Sequence, residues 1–139
     1  MVGAAALGPE AADDRRPGLP VLVSVCTTCR AEDGGTPGPA LLDALRAATG
    51  PGIVARPVQC LGVCRRPATA AVSAPGGYTF LFGDLASGAA AALLAFAERY
   101  RATDYGYVPW RERAEVLRRG LVARLPPADW SPEDGRNPP

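Results

Sequence analysis

Residues 60–85 read "CLGVCRRPATAAVSAPGGYTFLFGDL", and the fold turns on this stretch. After two cysteines spaced C-x3-C, the apolar run "ATAAVSA" (68–74) predicts a strand. "PGG" (75–77) is a turn signal. "YTFLFG" (78–83) predicts a second strand, with Tyr78, Phe80 and Phe82 alternating onto one face. The short connection makes these two strands an antiparallel hairpin. Asp84 and Ser87 are cap candidates for a helix over 87–102, on which Leu93, Phe96, Ala97 and Tyr100 fall at core spacing.

Upstream, "VLVSV" (21–25) is valine-rich and fits a strand buried on both faces. "PALLDALRAATG" (39–50) predicts a helix with Leu41, Leu42, Leu45 and Ala48 on one face. Pro39 suits its first turn, Gly50 its C′ position, and Pro51 stops it. "GIVARPV" (52–58) is the next strand. Downstream, "VPWRERAEVLRRG" (108–120) predicts a further helix, with Trp110, Ala114 and Leu117 on a face and Glu115–Arg119 as an i,i+4 pair. The resulting order is β-α-β-β-β-α plus a C-terminal helix: an α/β domain with a mixed four-stranded sheet. Residues 1–19 and 128–139 are rich in Gly, Pro and charge and read as flexible segments flanking a domain over 20–127.

Composition removes several function classes. The 139 residues suit one domain, and a net charge of +1 gives no field for nucleic acid or membranes. The chain has no histidine, so no Ser-His-Asp or Cys-His nucleophile system and no imidazole metal ligand. It has no lysine, so neither Schiff-base chemistry nor a Walker lysine; abundant Gly, Ala, Arg and Pro trace this to a high-GC genome. No apolar run approaches the length of a transmembrane helix. The N-terminus lacks the pattern of a secretory signal, so a reducing, cytoplasmic compartment is expected. There, paired cysteines point to metal or redox chemistry rather than to disulfides.

The four cysteines are Cys26 and Cys29 in "SVCTTCR" (24–30) and Cys60 and Cys64, with thirty residues between the pairs. Both pairs follow strand candidates directly. Four thiolates in two tight pairs suit zinc or a 2Fe-2S cluster, and spacing alone leaves both open. A thioredoxin-type C-x-x-C dithiol is a third reading, weakened because "AEDGGTPGP" separates the pair from the next helix. No other catalytic set stands out: Asp43, Glu98 and Asp104 are scattered, so a carrier is expected rather than an enzyme.

"CLGVC", the following strand and Gly-rich turn, and "YTFLFGDL" resemble the second half of thioredoxin-like 2Fe-2S ferredoxins. Together with "GYVPWRERAEVLRRGLVARLPP", they are similar to a family of short bacterial proteins described as predicted metal-binding proteins of unknown function. The resemblance covers about residues 20–127. It implies a thioredoxin-like fold of the ferredoxin type, a cluster on Cys26, Cys29, Cys60 and Cys64, one-electron transfer to a redox partner protein, pairing into homodimers, and service in cobalamin or metal metabolism. One departure is the first pair, which is spaced more tightly than such ferredoxins generally space it and keeps zinc as the alternative metal. Arg30, Arg65 and Arg66 flank the ligands and are candidates for tuning a potential or meeting an acidic partner. Thr27, Thr28 and the backbone N–H groups around Gly62 are candidate donors to the sulfurs, and Gly62 suits the turn between Cys60 and Cys64.

Overall fold

A computed structural model of the chain describes residues 20–128 and 130. The segment 1–19 and the tail from 131 onward, both expected to be flexible, lie outside the described residues. Among the described residues, five strands and three α-helices follow one another: β1 (Val21–Cys26), α1 (Gly38–Ala48), β2 (Ile53–Val58), β3 (Ala70–Ser73), β4 (Thr79–Phe82), α2 (Ala90–Ala102), α3 (Glu115–Gly120) and β5 (Leu121–Leu125). The strands form one mixed sheet in the order β2-β1-β3-β4-β5. Only the β1–β2 pair is parallel, joined through α1; every other neighbouring pair is antiparallel.

Register explains why the valine-rich strand is central. Val23 lies opposite Ala55 on one side and Val72 on the other, and Val72 lies opposite Phe80. Side chains opposite one another share a face, so one continuous apolar row crosses four strands. Helices α1 and α2 touch each other and both touch β1, which covers this face with a single helical layer. Leu41, Leu42 and Leu45 of α1 and Leu93, Phe96, Ala97 and Tyr100 of α2 are buried there. Ala48, expected on the same face, is exposed. Phe96 meets Phe80 and Phe82 edge-on, at centroid distances of 5.0 and 5.2 Å. On the opposite face the polar Ser24 is buried and accepts a hydrogen bond from Arg56 Nε at 2.7 Å.

The hairpin and its turn form as read from 68–83, with Gly76 at φ 73. Three expectations are corrected. The sheet has five strands rather than four, because residues 121–125 pair with β4 at its edge. The segment 108–120 is not one helix: a 3₁₀ turn at Trp110–Glu112 is followed by extended Arg113 and Ala114, and only then by α3. Arg113 breaks the continuity by turning inward to donate from Nε to the Val108 carbonyl at 2.9 Å. Trp110 consequently points outward, 60% exposed, instead of sharing a face with Leu117. Finally, Asp84 does not cap the helix, since α2 begins at Ala90 and its N-cap is Ala89, with no side-chain cap bond. Gly50 takes the C′ position after the C-cap Thr49, as expected, while the left-handed residue beyond it is Gly52, at φ 86.

The new edge strand rests on a backbone-to-backbone contact. Gly83 N–H donates to Gly120 O at 2.7 Å, and a Cβ on Gly120 would lie 2.5 Å from the Gly83 carbonyl oxygen. Gly50, by contrast, faces open space. Gly120→Ala should therefore destabilise the fold by about 1–3 kcal/mol in urea unfolding, as an overpacked contact does. Gly50→Ala should stay within about 0.5 kcal/mol of the parent.

Candidate metal centre

The topology brings the four cysteines to one end of the sheet. β2 runs parallel to β1 and ends beside it; β3 runs antiparallel and starts beside it. The chain from Val58 to Ala70 must therefore cross the C-terminal end of β1, and it carries Cys60 and Cys64 as it does so. Backbone hydrogen bonds fix both flanks: Cys26 N–H donates to Thr69 O and Thr27 N–H to Val58 O, each at 3.0 Å. Helix α1 closes the third side. A Cβ on Gly38 would stand 1.9 Å from the Cys26 carbonyl oxygen, so only glycine allows this approach.

The sulfurs meet in two neighbouring pairs, all four reduced. Cys26 and Cys29 are buried, with Sγ–Sγ at 3.1 Å; Cys60 and Cys64 are exposed, with Sγ–Sγ at 3.9 Å. A tetrahedral metal with bonds near 2.3 Å sets its sulfur ligands about 3.8 Å apart. The exposed pair already has that spacing, and the buried pair needs to open slightly. Among the described residues, no group of three or more cysteine, aspartate or glutamate side chains is gathered closely enough to hold a metal ion.

Donors surround the sulfurs as expected at some positions and not at others. Gly62, at φ 82, donates its N–H to Cys60 Sγ at 3.2 Å. The Thr28 hydroxyl lies 3.6 Å from Cys26 Sγ and also donates to Gln59 O. The Thr27 hydroxyl bonds the Val58 carbonyl instead of a sulfur. Thr69, which the sequence reading passed over, is fully buried with its hydroxyl 3.7 Å from Cys29 Sγ. Its one signal is a lone polar residue inside an apolar run just after the second cysteine pair.

These contacts split the thiols. Burial pushes Cys26 up, but hydrogen bonds from the Cys29 thiol and from Thr28 outweigh it and bring Cys26 down to about 7. Cys29 is pushed up to about 11, by burial first and then by its bond to Cys26. Cys64 is raised by its hydrogen bond and charge repulsion with Cys60. The two pairs also sense each other: the charge of Cys64 raises Cys29, and that of Cys26 raises Cys64.

Of the flanking arginines, Arg66 is committed to structure. Its Nε donates to Asp84 Oδ2 at 2.7 Å and its Nη2 to the Arg119 carbonyl at 3.2 Å. Asp84, at φ 57, is held by this pair. Arg30 and Arg65 remain exposed beside the cysteines, Arg30 reaching the Gly34 carbonyl.

Fold and site thus define a class: a mixed α/β domain with four reduced cysteines gathered at one end of its central strand. The chain belongs to the family described as a protein of unknown function (DUF1636), whose model matches residues 23–127. No curated protein and no solved structure matches it. Among the described residues, no helix is long and apolar enough to cross a membrane.

In the metal-free Cys60→Ser/Cys64→Ser variant, which leaves the buried pair alone, one thiolate should form near pH 7 and the second only near pH 11, read by ultraviolet absorbance of the thiolate. Cys26→Ser should remove the lower step. Cys29→Ala should move that step toward 9, because a donor to the Cys26 thiolate is lost. Gly38→Ala should displace the Cys26 carbonyl and speed alkylation of the buried pair at least severalfold, measured by mass spectrometry.

Proposed function

We propose that the protein is a thioredoxin-like domain that holds a 2Fe-2S cluster on Cys26, Cys29, Cys60 and Cys64 and serves as a one-electron carrier. The observation that carries this reading is the meeting of two cysteine pairs from separate loops at one end of β1. A binuclear cluster takes two thiolates per iron, and the ligands here are already grouped in twos. The element order β-α-β-β-β-α, with β5 added at the edge, supports the thioredoxin-like reading.

When bound, such a cluster supplies one-electron chemistry. The chain's own residues do the rest. Cys26 and Cys29 lie on the enclosed side, where Thr69 is buried with them. Cys60 and Cys64 form the exposed rim, the short path to a redox partner protein. The Gly62 N–H donates to Cys60 Sγ and the Thr69 hydroxyl stands within reach of Cys29 Sγ; donation to a ligand sulfur stabilises negative charge there, which raises a reduction potential. Arg30 and Arg65 give that rim a positive edge suited to an acidic partner. The resemblance to bacterial metal-binding proteins extends the role to cobalamin or metal metabolism.

A second reading has one observation in its favour. Cys26, lowered to about 7, stands 3.1 Å from Cys29, raised to about 11, as in a C-x-x-C thiol redox site.

The deciding experiment is anaerobic purification from a cluster-competent host, followed by a visible spectrum and iron, sulfide and zinc analysis on one sample. A brown protein with about two irons and two sulfides per chain is expected. Reduction by one electron should give an EPR signal. The Cys60→Ser/Cys64→Ser double variant should lose the colour. A colourless protein holding zinc would replace the carrier by a four-cysteine zinc module. Disulfide reductase activity that survives the double variant and disappears in Cys26→Ser would establish the thiol reading.

A further inference from the structure

Arginine carries all of this chain's side-chain positive charge, and four arginines form ion pairs with carboxylates among the described residues: Arg66, Arg99, Arg101 and Arg119. Arg113 is the buried exception. It is 5% exposed, its Nε bonds the Val108 carbonyl, and its guanidinium lies 5.1 Å from the Phe80 ring centroid. Its terminal nitrogens reach no carboxylate or carbonyl among the described residues. Guanidinium does not shed its proton in proteins, so burial cannot be relieved by neutralisation. A buried charge left unpaired is strongly unfavourable, and the face of one aromatic ring is a weak substitute for an anion.

A second guanidinium stands beside it. Arg124 lies opposite Phe80 in the β4–β5 register and is held over the rings of Tyr107 and Tyr78, at 4.7 and 5.1 Å. It too makes no ion pair among the described residues. Burial pulls the ionisation of Arg113 down from its ordinary value; Tyr107 works against this, and the like charge of Arg124 adds to it. The Tyr78 ring neighbours both Phe80 and Tyr107, at 6.3 and 5.7 Å, so Arg113 and Arg124 lie over one aromatic cluster. Arg113 is buried there, Arg124 is exposed and Tyr107 is half-buried. β4 leads from here toward Phe82, which lies opposite Ala70, the residue after Thr69, so the cysteines sit toward the other end of the strand.

We infer that Arg113 and Arg124, with Tyr107 at the rim, form a binding site for a small oxyanion, a phosphate or carboxylate group. Two planar guanidiniums offer paired N–H donors that match the oxygens of such groups, and both carry the charge these groups need. The site is independent of whatever the cysteines bind.

The test uses the full chain in a Trp110→Phe background, which leaves Trp130, 5.4 Å from the Tyr78 ring, as the single tryptophan reporter. Inorganic phosphate, acetate and chloride are titrated at constant ionic strength, and Tm and Trp130 fluorescence are followed. A saturable response to phosphate or acetate, absent with chloride, is expected. Tighter phosphate assigns a phosphate ligand; tighter acetate assigns a carboxylate. Arg124→Gln should weaken the preferred anion at least tenfold. Arg113→Met should abolish the response while matching or exceeding the anion-free parent in Tm, because the unpaired charge is gone. Should Arg113→Met fail to fold, Arg124→Gln and Tyr107→Phe carry the test. Equal responses to all three anions, or unchanged affinity in Arg124→Gln, would make Arg113 a structural residue and overturn the site.

Discussion

The structure depends on the C-terminal end of β1 being hydrogen-bonded on both flanks. Cys26 N–H reaches Thr69 O on one side and Thr27 N–H reaches Val58 O on the other. A parallel neighbour ends and an antiparallel neighbour begins at the same place, so the connection between them has nowhere to run except across that end. The proximity of residues 26–29 and 60–64 is thus a consequence of strand direction, before any contact between cysteines is considered. Gly38 completes the arrangement, because α1 packs its first turn against the Cys26 carbonyl itself.

Besides backbone bonds from Asp84 N–H to Arg66 O and between Ala68 and Leu85, one guanidinium ties the second cysteine loop to two other parts of the domain. Arg66 joins Asp84, at the exit of β4, to the Arg119 carbonyl at the end of α3. Both partners of the ion pair are substantially exposed, so its contribution to stability is small, on the order of 1 kcal/mol or less. Its consequence is geometric: the segment that leaves Cys64, the turn into α2 and the edge strand share one anchor. The Gly83–Gly120 contact lies beside it and sets how closely β5 approaches.

The legible parts of this chain were those with strong local patterns. Valine-rich β1, the apolar stripes of α1 and α2, and the alternating Tyr78, Phe80 and Phe82 bury the residues that their periodicity indicates, Ala48 excepted. Gly62 was legible as a turn residue because a C-x3-C loop needs one, and its N–H does reach a sulfur. The segment 108–125 was misread because its helical spacing is genuine only over one short turn. Arg113 leaves that pattern to bury its guanidinium over Phe80, and residues 121–125 become a strand because β4 presents an unpaired edge. Neither cause is local. Thr69 was missed for the same reason, since nothing near it in the chain marks it as a neighbour of Cys29 forty residues away.

By itself, the sequence determined the element types from β1 to α2, the helical layer's apolar faces and the two cysteine pairs, because each depends on residues only a few positions apart. It also removed histidine and lysine chemistry outright, since absent residues cannot be supplied by folding. The tertiary structure alone decided which pair is buried and which exposed, which hydroxyl faces a sulfur, where Arg66 and Asp84 find each other, and that Arg113 and Arg124 lie over neighbouring aromatic rings. Those facts depend on strand order and register, which bring residues tens of positions apart within bonding distance and which no local pattern encodes.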